Sequence, residues 1–174
     1  MSKNLKSRII IFEGVDMCGK TSIAQALSAI TLIPYFKGRK EHSRFFEENR
    51  EKSYIEAFFL IDFLDQTGYS AIIDRFHISE YVYSITYGRH IDTDKLNMID
   101  DLLLKLGAAI IYCYKDNITG FYDELVEVEK IKKLKAEYNI YLDRTQIPIL
   151  KLNTESEDLD SQLRTIVDWL LTLP

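Results

Sequence analysis

A chain of 174 residues hides roughly 70% of the surface its unfolded form exposes, which predicts one domain over 1–174 with a core that needs no staples. With 47% apolar and 28% charged residues, 7 Gly and 3 Pro, it is neither collagen-like nor linker-rich. Its charge, 22 basic minus 27 acidic or −5, lacks the global positive field of non-specific nucleic-acid binders, so no nucleic-acid partner is expected.

Cys18 and Cys113 make neither a disulfide framework nor a zinc spacing. The first apolar run ends at Phe12, too short for a membrane span, and no small-residue cleavage site follows. The expectation is a cytoplasmic protein without a membrane partner.

In chain order, residues 9–12 form a continuous β-branched run, a strand buried on both faces. A helix follows over 21–30, with Ile23, Ala24, Leu27 and Ile30 on one face. Residues 32–36 contain Pro34, which suits an edge strand or a strand start. The helix over 51–66 carries Ile55, Phe58, Phe59 and Leu64 at suitable spacing, and Gly68 stops it. The strand over 69–73 ends in Asp74. Two helices follow, over 76–87 up to Gly88 and over 93–106 up to Gly107, the second with Leu96, Ile99, Leu103 and Leu106 inward. Residues 108–114 are the longest apolar run, 121–138 a long charged helix, and 147–152 a short strand. The last helix spans 157–171, with Thr154 and Glu157 as a capping box. Strands alternating with helices predict an α/β fold, a five-stranded parallel sheet with helices on both faces. Ligands in such folds sit at the carboxyl ends of the strands.

After the first strand comes Gly14-Val15-Asp16-Met17-Cys18-Gly19-Lys20-Thr21-Ser22, a G-x-x-x-x-G-K-T loop opening a helix. The glycines let backbone N–H groups turn inward onto phosphate oxygens, and the helix N-terminus adds its partial positive charge. Lys20 reaches the β- and γ-phosphates as a point charge, and the Thr21 hydroxyl can ligate Mg²⁺. Cys18 is either a thiol whose pKa falls at a helix N-terminus or the filler of a variable position.

The third run ends Ile72-Ile73-Asp74-Arg75-Phe76. Asp74 either holds Mg²⁺ or its water shell or caps the next helix. Arg75 is either a planar fork for a phosphate or half of a surface salt bridge. Lys37-Gly38-Arg39-Lys40-Glu41-His42-Ser43-Arg44 is the densest basic cluster, placed at a strand end to clamp a monophosphate with Lys37 and Arg39, or else a solubilising loop. His42, His77 and His90 lack a second ligand at metal spacing. A GTPase switch would need N-K-x-D, whereas Tyr114-Lys115-Asp116-Asn117 puts Asn and Asp on the wrong sides of the Lys.

The run Ile11-Phe12-Glu13-Gly14-Val15-Asp16 leading into Gly-Lys-Thr resembles the opening of thymidylate kinases, F/I-E-G-x-D-x-x-G-K-T. Asp74-Arg75-Phe76-His77-Ile78-Ser79, with Tyr83 four residues on, is similar to that family's D-R-Y/H-x-x-S-x-x-A-Y. Phe58-Phe59-Leu60-Ile61-Asp62-Phe63 falls where the family has L-F-x-A-D/N-R. The resemblance covers about residues 8–90 and, beyond them, helix and strand order. It implies a three-layer P-loop kinase fold with a lid-like segment near 115–138, ATP and Mg²⁺ as cofactors, a homodimer, and transfer of the γ-phosphoryl to a deoxynucleoside monophosphate such as dTMP. By the same resemblance Lys20, Asp16 and Arg75 are catalytic, Asp16 contacts the sugar 3′-hydroxyl, Arg75 binds phosphates, and Ser79 lies on the substrate side. Phe59 would stack on the acceptor base and Tyr83 line the sugar pocket, the alternative for both being core packing.

The sequence departs from the family pattern at two places. Phe63 stands where the family has a base-reading Arg, and Met17 and residues 116–138 supply no catalytic Arg. Lys130, Lys132, Lys133 and Lys135 are the only cations of that segment, and Arg44, Arg89 or Arg144 could substitute. A deoxynucleoside kinase, a kinase of a modified pyrimidine nucleotide and a non-catalytic nucleotide binder are the alternatives.

Overall fold

A computed structural model describes residues 9–37, 50–117, 128–155 and 158–174. Strands β1 (Ile9–Glu13), β2 (Tyr35–Lys37), β3 (Ala71–Asp74), β4 (Ala109–Tyr114) and β5 (Ile149–Asn153) form one parallel sheet in the order β2-β3-β1-β4-β5. Helices α1 (Lys20–Thr31), α2 (Arg50–Thr67), α3 (His77–Thr86), α4 (Thr93–Lys105), α5 (Val128–Leu142) and α6 (Leu159–Leu170) connect them. α1 packs on β3 and on α6, while α3 packs on α4 and α5, and α2 on α4.

The sheet is parallel because every crossover is long enough to return the chain to the same edge. β1, β3 and β4 are buried along nearly their whole length, the state that unbroken Ile-rich runs require. β1 has β3 on one side and β4 on the other. The chain reverses its winding direction there, which opens a crevice at the carboxyl end of β1.

Gly14, the first residue past β1, has φ +134°, and a Cβ there would collide with the carbonyl oxygen of Cys113 on β4. Gly14→Ala is therefore expected to remove at least ~3 kcal/mol of stability through strain and clash together. A urea unfolding midpoint unchanged from wild type would refute that close approach.

The structure corrects several local readings. The second strand begins at Tyr35, not residue 32. Leu32 is 87% exposed with φ +61°, and its N–H donates to Ser28 O at 2.8 Å, so it closes α1 as a left-handed cap. Ile30 is exposed and outside the face formed by Ile23, Ala24 and Leu27. In α2 the inward face is Tyr54, Ala57, Ile61 and Leu64, while Ile55 and Phe59 point outward and Phe58 is half-buried. Leu106, just past α4, is likewise half-buried.

α6 starts at Leu159, capped by Asp158, whose carboxylate accepts from Ser161 N at 2.9 Å. Thr154 is no cap, because its hydroxyl faces Cys18 O and Tyr114 O at 3.0 and 3.2 Å. Glu157 and the start of the charged helix expected from 121 lie outside the described residues, and α5 continues past Tyr138 to Leu142. Among the described residues no helix is long and apolar enough to cross a membrane.

Candidate active site

The loop after β1 turns through positive φ at Gly14, Met17 and Gly19 before α1 begins at Lys20. α1 has no side-chain cap and no acidic residue in its first turn, so its leading amides and positive dipole end suit an anion. Thr154 ties the loop at Cys18 to the end of β4.

The Lys20 ammonium donates to Val15 O at 2.5 Å, curling back into its own loop. Burial, helped by the Arg75 charge, lowers its pKa to about 8. Cys18 is buried and its thiol is pushed up by that burial, which outweighs the Lys20 charge. Of the two readings of Cys18, burial and the raised pKa favour the filler of a variable position.

Across the crevice, Arg75 follows β3 with φ +68°. Its N–H donates to Phe12 O at 2.9 Å, so the strand end of β1 fixes this uncommon turn. The guanidinium Nη2 lies 2.5 Å from Asp16 Oδ1, and Cζ sits 5.0 Å above the Tyr83 ring. The Tyr83 hydroxyl donates to Asp16 Oδ2 at 3.0 Å. Burial works against the Asp16 carboxylate, but the Arg75 and Lys20 charges and the two hydrogen bonds hold its pKa below the usual value. Asp16, Arg75 and Tyr83 thus form one cluster, joined to Lys20 through its field. Arg75 is salt-bridged, and the pair faces solvent on the Asp16 side, whose side chain is 70% exposed against 24% for Arg75.

A side chain to which the sequence reading gave no role organises this face. Glu13, wholly buried, accepts from Phe76 N at 2.9 Å and Ser79 N at 3.2 Å through Oε1. Through Oε2 it accepts from the Ser79 hydroxyl at 2.5 Å and the Tyr138 hydroxyl at 3.2 Å. It therefore does for α3 what an N-cap does, since Phe76, the residue at the cap, supplies no side-chain bond. Ser79, expected on the substrate side, turns its hydroxyl inward to Glu13, lies 2.9 Å from the Tyr138 hydroxyl and receives a 3.4 Å contact from Arg75 Nη1. An acidic residue closing an otherwise Ile-rich buried strand was the signal that could have exposed Glu13.

Asp74 is not the cap of α3. Its Oδ2 accepts from the Thr21 hydroxyl at 2.6 Å and the Tyr35 hydroxyl at 2.8 Å. The Lys37 ammonium lies 3.0 Å from the same oxygen and 2.7 Å from Thr21 Oγ1. Burial opposes ionisation, yet these three donors bring the Asp74 pKa below its ordinary value. Asp74 Oδ1 is buried without a hydrogen-bond partner. One carboxylate beside one hydroxyl is a hard oxygen pair already holding a positive charge, and it fits Mg²⁺ completed by phosphates and water. Among the described residues no group of three or more His, Cys, Asp or Glu could hold a metal alone.

Other expected residues lie elsewhere. Phe59 is 77% exposed on α2 and Phe63 46%, edge-on to Tyr69, so neither is core packing. Arg39, His42 and Arg44 lie outside the described residues. Arg144 stacks on Tyr81 and Tyr141, near the amino end of β5 and away from the loop. Arg89 stacks on Tyr87. Of the lysines on α5, Lys132 pairs with Glu129 at the surface, Lys133 donates to Thr86 O, and Lys135 donates to Lys115 O just past β4.

No family model and no curated protein matches this chain. Solved structures do. The YorR protein from Bacillus subtilis, in complex with phosphorylated GDP, is 22% identical, with a TM-score of 0.76 over 94% of this chain and 95% of that one. Thymidylate kinase from Candida albicans is 16% identical, with a TM-score of 0.62 over 96% and 92%. Deoxyadenosine kinase from M. mycoides, with dCMP and dCDP as products, is 16% identical, with a TM-score of 0.59 over 95% and 99%. The five-stranded parallel sheet with its helices is thus the architecture this chain shares with these nucleotide and nucleoside kinases, and its fold is the P-loop kinase fold.

Proposed function

We propose that the protein is an ATP-dependent deoxynucleoside monophosphate kinase of the thymidylate-kinase-like type, with dTMP as the leading acceptor. The observation that carries this reading is the Arg75 guanidinium, held by Asp16 over the Tyr83 ring and facing the loop of Lys20. A fixed, always-charged fork opposite a phosphate loop suits two phosphate groups brought end to end. The presence of nucleotide ligands in the YorR and deoxyadenosine kinase structures supports it.

In this reading the loop amides and Lys20 hold the β- and γ-phosphates of ATP. Lys20 leaves Val15 O for them, and its charge meets the negative charge that spreads over the transferring group. Arg75 exchanges Asp16 for phosphate oxygens. Asp16, freed from the ion pair, accepts from the acceptor sugar hydroxyl, with Tyr83 orienting it. The γ-phosphorus–oxygen bond to ADP breaks as a bond to the acceptor phosphate oxygen forms. Thr21 and Asp74 would hold Mg²⁺, which supplies charge neutralisation on the phosphate oxygens when bound.

An ATP-consumption assay across nucleosides and monophosphates tests the assignment. The expected result is ADP formation with deoxynucleoside monophosphates, dTMP foremost. Turnover on deoxynucleosides alone would make it a deoxynucleoside kinase, and no turnover on any acceptor would make it a nucleotide binder. Phe63 cannot donate a hydrogen bond to a base, so discrimination among dTMP, dUMP, dCMP and dGMP is expected to stay within the ~1–3 kcal/mol that shape and stacking give. Phe63→Arg should sharpen it. Strong dTMP selection, unchanged by that substitution, would remove Phe63 from the base site.

The lowered Lys20 pKa adds a pH signature. Near pH 9 the free protein has largely lost the Lys20 proton, given a pKa of about 8, and phosphate binding draws it back. Nucleotide affinity should fall by up to about tenfold per pH unit above that pKa. Calorimetry in buffers of different ionisation enthalpy should show uptake approaching one proton at pH 9. No proton uptake there would separate Lys20 from the phosphates.

A further inference from the structure

The Lys37 ammonium occupies the oxygen pair that a divalent cation would use. It is 2.7 Å from Thr21 Oγ1 and 3.0 Å from Asp74 Oδ2. The backbone fixes this meeting, because Lys37 and Asp74 are register partners across the β2–β3 ladder. The Thr21 hydroxyl donates to Asp74 and accepts from Lys37, so both its hydrogen and a lone pair are committed. Asp74 is buried, whereas the Lys37 side chain is 46% exposed. The carboxylate is therefore fixed, and the ammonium can swing into water at little cost in buried contacts.

We propose that Lys37 is a built-in counter-ion which competes with the metal of a metal–nucleotide for the Thr21 and Asp74 oxygens, and so sets how much divalent cation the protein requires. The inference rests on the nucleotide-binding reading of the phosphate loop. A metal ligated by the Thr21 hydroxyl meets an oxygen that Lys37 already holds, and even one approaching Asp74 through Oδ1 is repelled by a second positive charge within ångströms. Binding must displace the ammonium, and the displacement lowers the apparent affinity by the fraction of protein in which the pair is taken. The sign is what makes the idea distinctive. Removing a lysine from an anion site ordinarily weakens nucleotide binding, whereas removing this one is expected to strengthen binding of the metal complex.

The test measures Mn²⁺·ADP binding by loss of the free Mn²⁺ electron paramagnetic resonance signal, and metal-free ADP binding by calorimetry. Wild type, Lys37→Met and Lys37→Arg are compared after thermal unfolding has checked their folds. Lys37→Met should bind Mn²⁺·ADP at least threefold more tightly than wild type, and metal-free ADP equally or more weakly. Lys37→Arg, which keeps the charge, should stay below Lys37→Met for the metal complex. Unchanged or weaker Mn²⁺·ADP binding by Lys37→Met overturns the competition while leaving the nucleotide reading standing. Failure of folded wild-type protein to bind Mn²⁺·ADP overturns both.

Discussion

Lys20→Ala is expected to lower kcat for phosphoryl transfer by at least a hundredfold while leaving the fold intact. Little covalent chemistry is asked of the protein in such a transfer, so positioned charge supplies most of the catalysis. Removing one charge-stabilising group from a dry site costs ~3 kcal/mol of barrier, about a 150-fold loss in rate. The fold should tolerate the change for a reason visible in the same residue. Burial brings the Lys20 pKa from 10.5 down to about 8. The unfolded chain therefore binds more protons than the folded one across that window. Folding stability due to this group rises with pH through it and is lowest near neutrality. Holding the ammonium charged at pH 7 costs roughly 3 kcal/mol, which offsets what the stem and the bond to Val15 O contribute. Urea unfolding at pH 7 should place the variant within about 2 kcal/mol of wild type. Near-normal turnover by the variant would end the kinase assignment, and gross unfolding would show Lys20 to be structural.

The layout of strands and helices was legible because apolar runs and glycine stops are local signals. Gly68, Gly88 and Gly107 all take positive φ beside helix ends, where the sequence placed stops. The turn of the Gly14–Lys20 loop was legible for the same reason, since its glycines and the helix start lie within a few consecutive residues. Fine burial was less so. Reading α2 by Ile55, Phe58, Phe59 and Leu64 mixed two apolar stripes that wind around that helix, and packing on α4 selects the one through Ala57, Ile61 and Leu64. The start of α6 was misplaced because both Thr154 and Asp158 can cap, and Thr154 is drawn off by Cys18 O and Tyr114 O. Asp16, Arg75 and Tyr83 could be joined only through a family resemblance, because Arg75 is 59 residues from Asp16 and Tyr83 67. Lys37 was read as part of a clamp for a monophosphate or of a solubilising loop, and nothing local says that strand register seats it opposite Asp74. Glu13 was hidden most completely, since its partners lie up to 125 residues away.

Glu13 should therefore be the residue whose loss most damages the scaffold behind the crevice. Glu13→Ala leaves Phe76 N and Ser79 N without the acceptor they share, while the Ser79 and Tyr138 hydroxyls keep only each other and Gly14 O. Each buried polar group left unpaired costs ~1–3 kcal/mol, with relaxation recovering part of it. A net loss of about 4 kcal/mol is expected, seen as a drop in Tm of roughly 8–16 °C for a chain of this size. Glu13→Gln separates the two oxygens. Its amide oxygen can keep the backbone donors of Phe76 and Ser79, while its NH₂ replaces Oε2 and obliges the two hydroxyls to turn and accept. That reversal is open to Ser and Tyr hydroxyls, so the Gln variant should lose only about 1–2 kcal/mol. Thermal unfolding should rank wild type above Gln and Gln above Ala. The same order should appear in kcat, because α3 carries Ser79 and Tyr83, which contact Arg75 and Asp16. If Gln and Ala unfolded at the same temperature, the bonds from Phe76 N and Ser79 N would contribute nothing, and Glu13 would act by charge on Arg75 rather than as the cap of α3.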